Sequence, residues 1–166
     1  MKFDFPQVDL PCEILAWNDV TEDILNIYKQ SCRLKAGIFA ICTEGKMTAT
    51  INLIDYEIKP NDLITLLPGT IIQFRERTEK VRLCFAGFSS ECVERINLIK
   101  SMVSSFSKIT ECPIVELQED IASYLIDYFS LLARVTCDEK LSLPSEMTEV
   151  SLRSILTAVG LIYQRY

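Results

Sequence analysis

The sequence predicts a mainly β fold with helices appended: an antiparallel β-barrel over residues 1–90, then a helical region over residues 91–166 that packs on it. Two changes of pattern carry this expectation. Before Ser89-Ser90, short runs with period-two alternation or continuous β-branched and aromatic content are separated by turn residues, as in sandwiches and barrels. After Ser90, apolar residues recur three and four positions apart, the spacing of amphipathic helices. Composition agrees: 166 residues, 49% apolar and 24% charged, are enough to bury the core of one or two small units.

Strands are expected over 37–43, 46–53, 56–59, 63–67, 71–75 and 81–88. Spaced this closely they leave no room for crossover helices, so the sheet is expected to be antiparallel. Glu44-Gly45 reads as a tight hairpin turn, with glycine supplying a positive φ, and Asp55 lies at a second reversal. Pro60-Asn61-Asp62 and Pro68-Gly69 read as further turns, because proline fixes φ and cannot donate to a ladder. The run 46–53 alternates most cleanly: Met47, Ala49, Ile51 and Leu53 share one face, and Lys46, Thr48, Thr50 and Asn52 the other. The apolar four, joined by Ile72 and Phe74, are the expected barrel interior. They are the candidate ligand-binding wall of a small-molecule pocket, since such pockets are mostly apolar, and equally the candidates for a barrel filled by its own side chains.

Helices are expected over 91–107, 114–136 and 145–166. Pro113 and Pro144 immediately precede the second and third, where a helix can begin but not pass through. Leu117, Ile121, Leu125, Tyr128, Leu132 and Val135 form an apolar stripe on the second; Leu152, Ile155, Leu156, Val159, Ile162, Tyr163 and Tyr166 form one on the third. The two read as an antiparallel helical hairpin. A hairpin covers one face with the barrel and leaves another for a partner. Leu152, Ile155, Leu156, Val159, Ile162 and Tyr163 are therefore the candidate dimerisation residues, the alternative being that both stripes pack within the chain. The third stripe runs to the last residue without cap or polar tail, as in a polypeptide cut from something longer.

Composition also excludes function classes. Histidine is absent, which removes the commonest general base and the commonest transition-metal ligand together. The seven cysteines are dispersed and never closer than eight residues, so no CxxC motif and no disulfide framework is legible. A net charge of −6 makes the chain a poor nucleic-acid binder by itself, because Lys and Arg neutralising phosphate supply most of that affinity. No apolar run approaches the roughly 18 residues of a membrane span. The first ten residues lack the apolar block of a signal peptide, so a soluble, cytoplasmic protein without membrane contact is expected.

Residues 45–74, GKMTATINLIDYEIKPNDLITLLPGTIIQF, followed by FAGFSSE at 85–91, resemble the N-terminal regulatory domain of AraC-type transcription regulators, in the forms where a cupin barrel is followed by helices. The resemblance covers 37–91 well and the helices in outline. In the cupin pattern a glycine is followed, after five residues, by two histidines one residue apart, and later by an aspartate, a Pro-Gly turn and a third histidine. Gly45, Asp62 and Pro68-Gly69 fit the punctuation, whereas the histidine positions fall on Ile51, Leu53 and Ile72. Glu57 stands near the place of a metal-binding glutamate, but one carboxylate cannot hold a first-row metal without partners. No metal, no cofactor and no enzymatic activity is therefore expected.

The resemblance implies an effector-sensing domain, homodimerisation through the helices, and DNA contacts made only by a C-terminal pair of helix-turn-helix motifs not legible in these residues. The alternative from another class is a stand-alone metal-free cupin that binds or isomerises a sugar-like or acidic metabolite. A third is a purely structural dimerisation domain. Two further groups of residues have a functional and a plain reading. Gln73, Arg75, Arg77, Lys80 and Arg82 make a basic cluster, with Arg75 and Arg77 as candidate anion contacts, but the interleaved Glu76 and Glu79 favour a solvated hairpin. Cys42, Cys84 and Cys92 are candidates for redox sensing, but nothing places them beside a group that would make a thiolate, which favours buried structural thiols.

Overall fold

The computed structural model describes residues 5–17, 29–78, 80–96, 103–137 and 143–165. The strands are β1 Gln7–Val8, β2 Ile14–Trp17, β3 Cys32–Leu34, β4 Gly37–Glu44, β5 Met47–Ile51, β6 Ile54–Ile58, β7 Asp62–Leu66, β8 Ile71–Arg77, β9 Arg82–Phe88 and β10 Ile114–Glu116. The helices are α1 Ser90–Ile96, α2 Val103–Glu111, α3 Glu119–Cys137 and α4 Ser145–Gln164. The mainly β fold followed by C-terminal helices is thus as the pattern predicts. The strands form two five-stranded sheets, in the orders β1-β3-β8-β5-β6 and β10-β7-β4-β9-β2, rather than one closed barrel. All pairings are antiparallel except the two-residue contact of β1 with β3.

From β3 to β9 every connection except β5–β6 crosses from one sheet to the other. This corrects the expected hairpin at Glu44-Gly45. There the chain leaves β4, bulged between Cys42 and Glu44, and enters β5 in the opposite sheet. Gly45, at φ +81°, makes the crossing against the Lys80 carbonyl, where a Cβ would collide. The two-residue hairpin lies instead at Asn52-Leu53, which join Ile51 to its partner Ile54 with φ of 49° and 69°. Positive φ at both central residues is the mark of a type I′ turn, whose twist matches the flanking strands. Asp55, taken as the reversal, is the second residue of β6.

One sheet is buried on both faces. Ile38, Ala40, Ile64, Leu66 and Phe85 meet β3, β5, β6 and β8 in a core between the sheets. Phe39, Ile41, Leu63, Cys84 and Phe88 meet the helices in a second core. Continuous apolar runs such as GIFAIC and LITLL are what a strand needs when neither face sees water. By contrast β5 alternates buried and half-buried residues, because only one of its faces is covered.

The helical region departs from expectation at two places. Residues 114–116 are a strand, not a helix start: Ile114, Val115 and Glu116 pair with Ile64, Leu63 and Asp62 along the open edge of β7. Pro113 fits either reading, and β-branched Ile-Val beside an unpaired edge decides for the strand. The expected helix 91–107 appears as α1 and, from Val103, α2, with residues 97–102 outside those described. The expected hairpin of the last two helices is also not a close pair. The α3 helix lies on β2 and β9, while α4 packs on α2 and α1.

Candidate functional site

Met47, Ala49, Ile51 and Ile72 are buried in the core between the sheets, and Phe74 packs against it half-buried. They are held there by the β5–β8 ladder, which pairs Ala49 with Phe74 and Ile51 with Ile72. Leu53 does not belong with them. Its strand ends at Ile51, and the turn carries Leu53 out to 70% exposure. Alternation along the sequence continues through a turn, but the pleat does not.

The candidate dimerisation residues are also placed differently. Leu152, Ile155, Leu156, Val159, Ile162 and Tyr163 are all buried in the second core of the same chain, on a helix that packs on α1 and α2. A side chain already covered within one protomer offers a partner no surface. The exposed apolar residues of the helical layer are others, among them Tyr124 at 66% and Leu161 at 57%. They flank a groove of about 550 Å3 between the start of α3 and the end of α4, walled by Leu117, Ile121, Leu125, Ala158 and Ile162 with Arg165 at its edge.

The basic cluster is spread over the surface. Arg75 lies 3.7 Å from Asp55 and Arg82 lies 3.4 Å from Glu44, while the Gln73 amide bonds Ser31 and the Lys29 carbonyl. The Arg77 side chain is outside those described. Asp62, the residue at the cupin aspartate position, is buried and structural. Its carboxylate accepts the Lys59 backbone N–H at 2.9 Å and pairs with Lys59 Nζ at 3.2 Å, closing the turn before β7. Burial pushes the thiols of Cys42, Cys84 and Cys92 up to about 11, opposite to what a redox sensor requires. Among the described residues no three His, Cys, Asp or Glu side chains come together as metal ligands, and no helix is long and apolar enough to cross a membrane.

A polar joint that the sequence does not reveal ties the N-terminal segment to both ends of the helical region. Arg95 of α1 pairs with Glu13 at 2.6 Å and with Glu149 of α4 at 2.9 Å. Asp9 accepts hydrogen bonds from the backbone N–H and hydroxyl of Ser90, where α1 begins. Glu13 is 82 residues from Arg95, too far for any local pattern to register.

No family model and no curated protein sequence matches the chain. Among solved structures it is similar to the AraC-like transcriptional activator CuxR, at 9% identity and TM-score 0.42, over 88% of this chain and 47% of that one. It is similar to ToxT from Vibrio cholerae at 10% identity and TM-score 0.41, over 90% of this chain and 52% of that one. ToxT from Vibrio cholerae O395 bound to (E)-4-(8-methylnaphthalen-1-yl)but-3-enoic acid gives 11% identity and TM-score 0.44, over 90% and 57%. The chain spans about half the length of these proteins. Of these, CuxR is an AraC-like transcriptional activator.

Proposed function

We propose that this chain is the effector-sensing and dimerising part of an AraC-type transcription regulator, acting in the cytoplasm, with DNA contacted by a further module and no catalysis of its own. The observation that carries this reading is the shared sheet. Ile64 and Leu66 of β7 face the core between the sheets, while Leu63 of the same strand faces the helical core. Packed interiors transmit strain because they have little free volume to absorb it. A small molecule seated among Met47, Ala49, Ile51, Ile72 and Phe74 therefore shifts the helical layer. It biases the domain by binding one arrangement of sheets and helices better than another. Dimerisation in this reading uses the exposed side of α3 and α4, centred on Tyr124 and Leu161, since the stripe of α4 is buried.

The test has two parts. Sedimentation equilibrium of the chain over a range of concentrations is expected to show a monomer–dimer equilibrium, and a strictly monomeric chain removes the dimerising half of the proposal. A panel of small metabolites is screened by thermal melting, because any ligand selective for the folded state stabilises it. At about 100 times its Kd the gain is about 2.7 kcal/mol, a rise of about 5–10 °C for a domain of this size. A panel without a single hit, including hydrophobic acids, neutral apolar compounds and sugars, counts against sensing.

A further inference from the structure

A second cavity adjoins the interior wall at Ile51 and lies apart from the helical groove. It occupies about 170 Å3 between the β7–β8 connection and α2. Ile51, Leu67, Pro68, Phe106, Ile109 and Pro113 supply its apolar wall, and no charged side chain lines it. Thr65 also lines it. This residue is 1% exposed, and its Oγ1 is buried with no hydrogen-bond partner among the described residues. Its backbone N–H is already spent on the Pro113 carbonyl at 2.9 Å. The other hydroxyl at depth, that of Thr70, donates to the Leu67 carbonyl at 2.6 Å and is satisfied.

A buried hydroxyl left unpaired is costly, and native structures leave few of them. Valine would fill the same volume on β7 without that cost. The orphaned oxygen beside a cavity is the arrangement expected of a site completed by something that enters it. Size sets an upper limit: an apolar cavity of about 150 Å3 takes a benzene-sized molecule. A charge set beside Thr65 at the buried end is unfavourable, because an ion there without a counter-ion loses far more hydration than one hydroxyl returns.

We propose that this cavity binds a small neutral molecule, of roughly benzene size, whose apolar body packs on Ile109 and Phe106 and whose single hydroxyl, carbonyl or amide group pairs with Thr65 Oγ1. The site stands whether or not the chain belongs to a transcription regulator, and its test, which turns on Thr65, is independent of dimerisation.

The probes are cyclohexanol, methylcyclohexane lacking the hydroxyl, and benzoate carrying a charge. Binding is followed by methyl NMR of the whole chain. Cyclohexanol is expected to give saturable shifts centred on Ile51, Thr65 and Ile109, and to bind several-fold to about tenfold tighter than methylcyclohexane; benzoate is expected to leave these signals unmoved. Thr65→Val is expected to remove the preference for cyclohexanol and shift it toward methylcyclohexane, because the ligand hydroxyl then has no partner, while leaving the fold intact. Phe106→Ala, at a position 38% exposed and so tolerant of change, is expected to weaken both neutral probes alike. The proposal is overturned if cyclohexanol gives no saturable shift, if Thr65→Val retains the preference, or if the hydroxyl is found paired with a bridging water that the probes never displace.

Discussion

The Tyr163 hydroxyl donates to the Cys112 carbonyl at 2.6 Å, joining the last turn of α4 to the residue before the Pro113 turn into β10. The ring is 1% exposed. Tyr163→Phe keeps the packing and removes the bond, so a loss of about 0.5–1.5 kcal/mol is expected. Urea unfolding measures it; a neutral result means the carbonyl finds water instead.

Burial of the α4 stripe makes stability and association separable. Leu152→Ala is expected to cost about 2–5 kcal/mol, because a fully buried leucine leaves a cavity. Leu161→Asp, on the exposed side, is expected to change stability by less than about 0.5 kcal/mol while shifting any dimer toward monomer in sedimentation. If Leu161→Asp leaves association intact, the interface is elsewhere.

Glu13 and Asp9 are expected to contribute to the acid limb of stability. The Arg95 hydrogen bond holds the Glu13 carboxyl below its ordinary value of 4.5. Burial pulls Asp9 upward, but hydrogen bonds from Ser90 and Leu10 outweigh it and leave Asp9 lowered from 3.8. A carboxyl depressed in the folded state contributes stability above its unfolded value and loses it as pH falls through the folded one. Arg95→Met is therefore expected to destabilise the domain near neutral pH and to flatten its stability profile below pH 4.5. Chemical unfolding at several pH values reads this directly; an unchanged acid limb would show that the joint is solvated.

Cys42, Cys84 and Cys92, buried and titrating at about 11, hold a thiolate fraction of about one in a thousand at pH 8. Cys12 and Cys112 are exposed. A thiol reagent is expected to modify those two on mixing and the buried Cys32, Cys42, Cys84 and Cys92 only at the rate of unfolding. Mass spectrometry of the labelled chain identifies the sites, and rapid labelling of Cys84 would mean that α3 lifts from β9.

Gly45 and Gly69 both hold positive φ, at 81° and 92°, but only Gly45 is crowded. Gly69→Ala is expected to cost about 1–2 kcal/mol from backbone strain alone. Gly45→Ala adds a clash with the Lys80 backbone and is expected to cost more. Equal melting temperatures for the two variants would mean that the β4–β5 crossing relaxes freely.

How much of this was legible residue by residue follows from what each signal measures. Continuous runs over 37–42 and 63–67 marked strands that are buried on both faces, and the spacing from Leu152 to Tyr163 marked the face that α4 buries. Both signals report whether a side chain leaves water, which depends on period alone. Neither reports what covers it. The α4 stripe was therefore legible, while the choice between a partner and the chain itself as its cover was left open.

The sequence alone determined the six strands from β4 to β9, the positions of the turns at Gly45 and Pro68-Gly69, the switch to helices at Ser90, and the aliphatic residues where the cupin pattern has histidines. Only the tertiary structure decided that Glu44-Gly45 changes sheets, that 114–116 completes β7 as a strand, that Leu53 leaves the interior, and that Arg95 gathers Glu13 and Glu149. Leu53 turns on the local geometry of a two-residue hairpin; the others depend on partners many residues away, and pairing between distant segments is fixed by packing and ladder geometry that no local window contains.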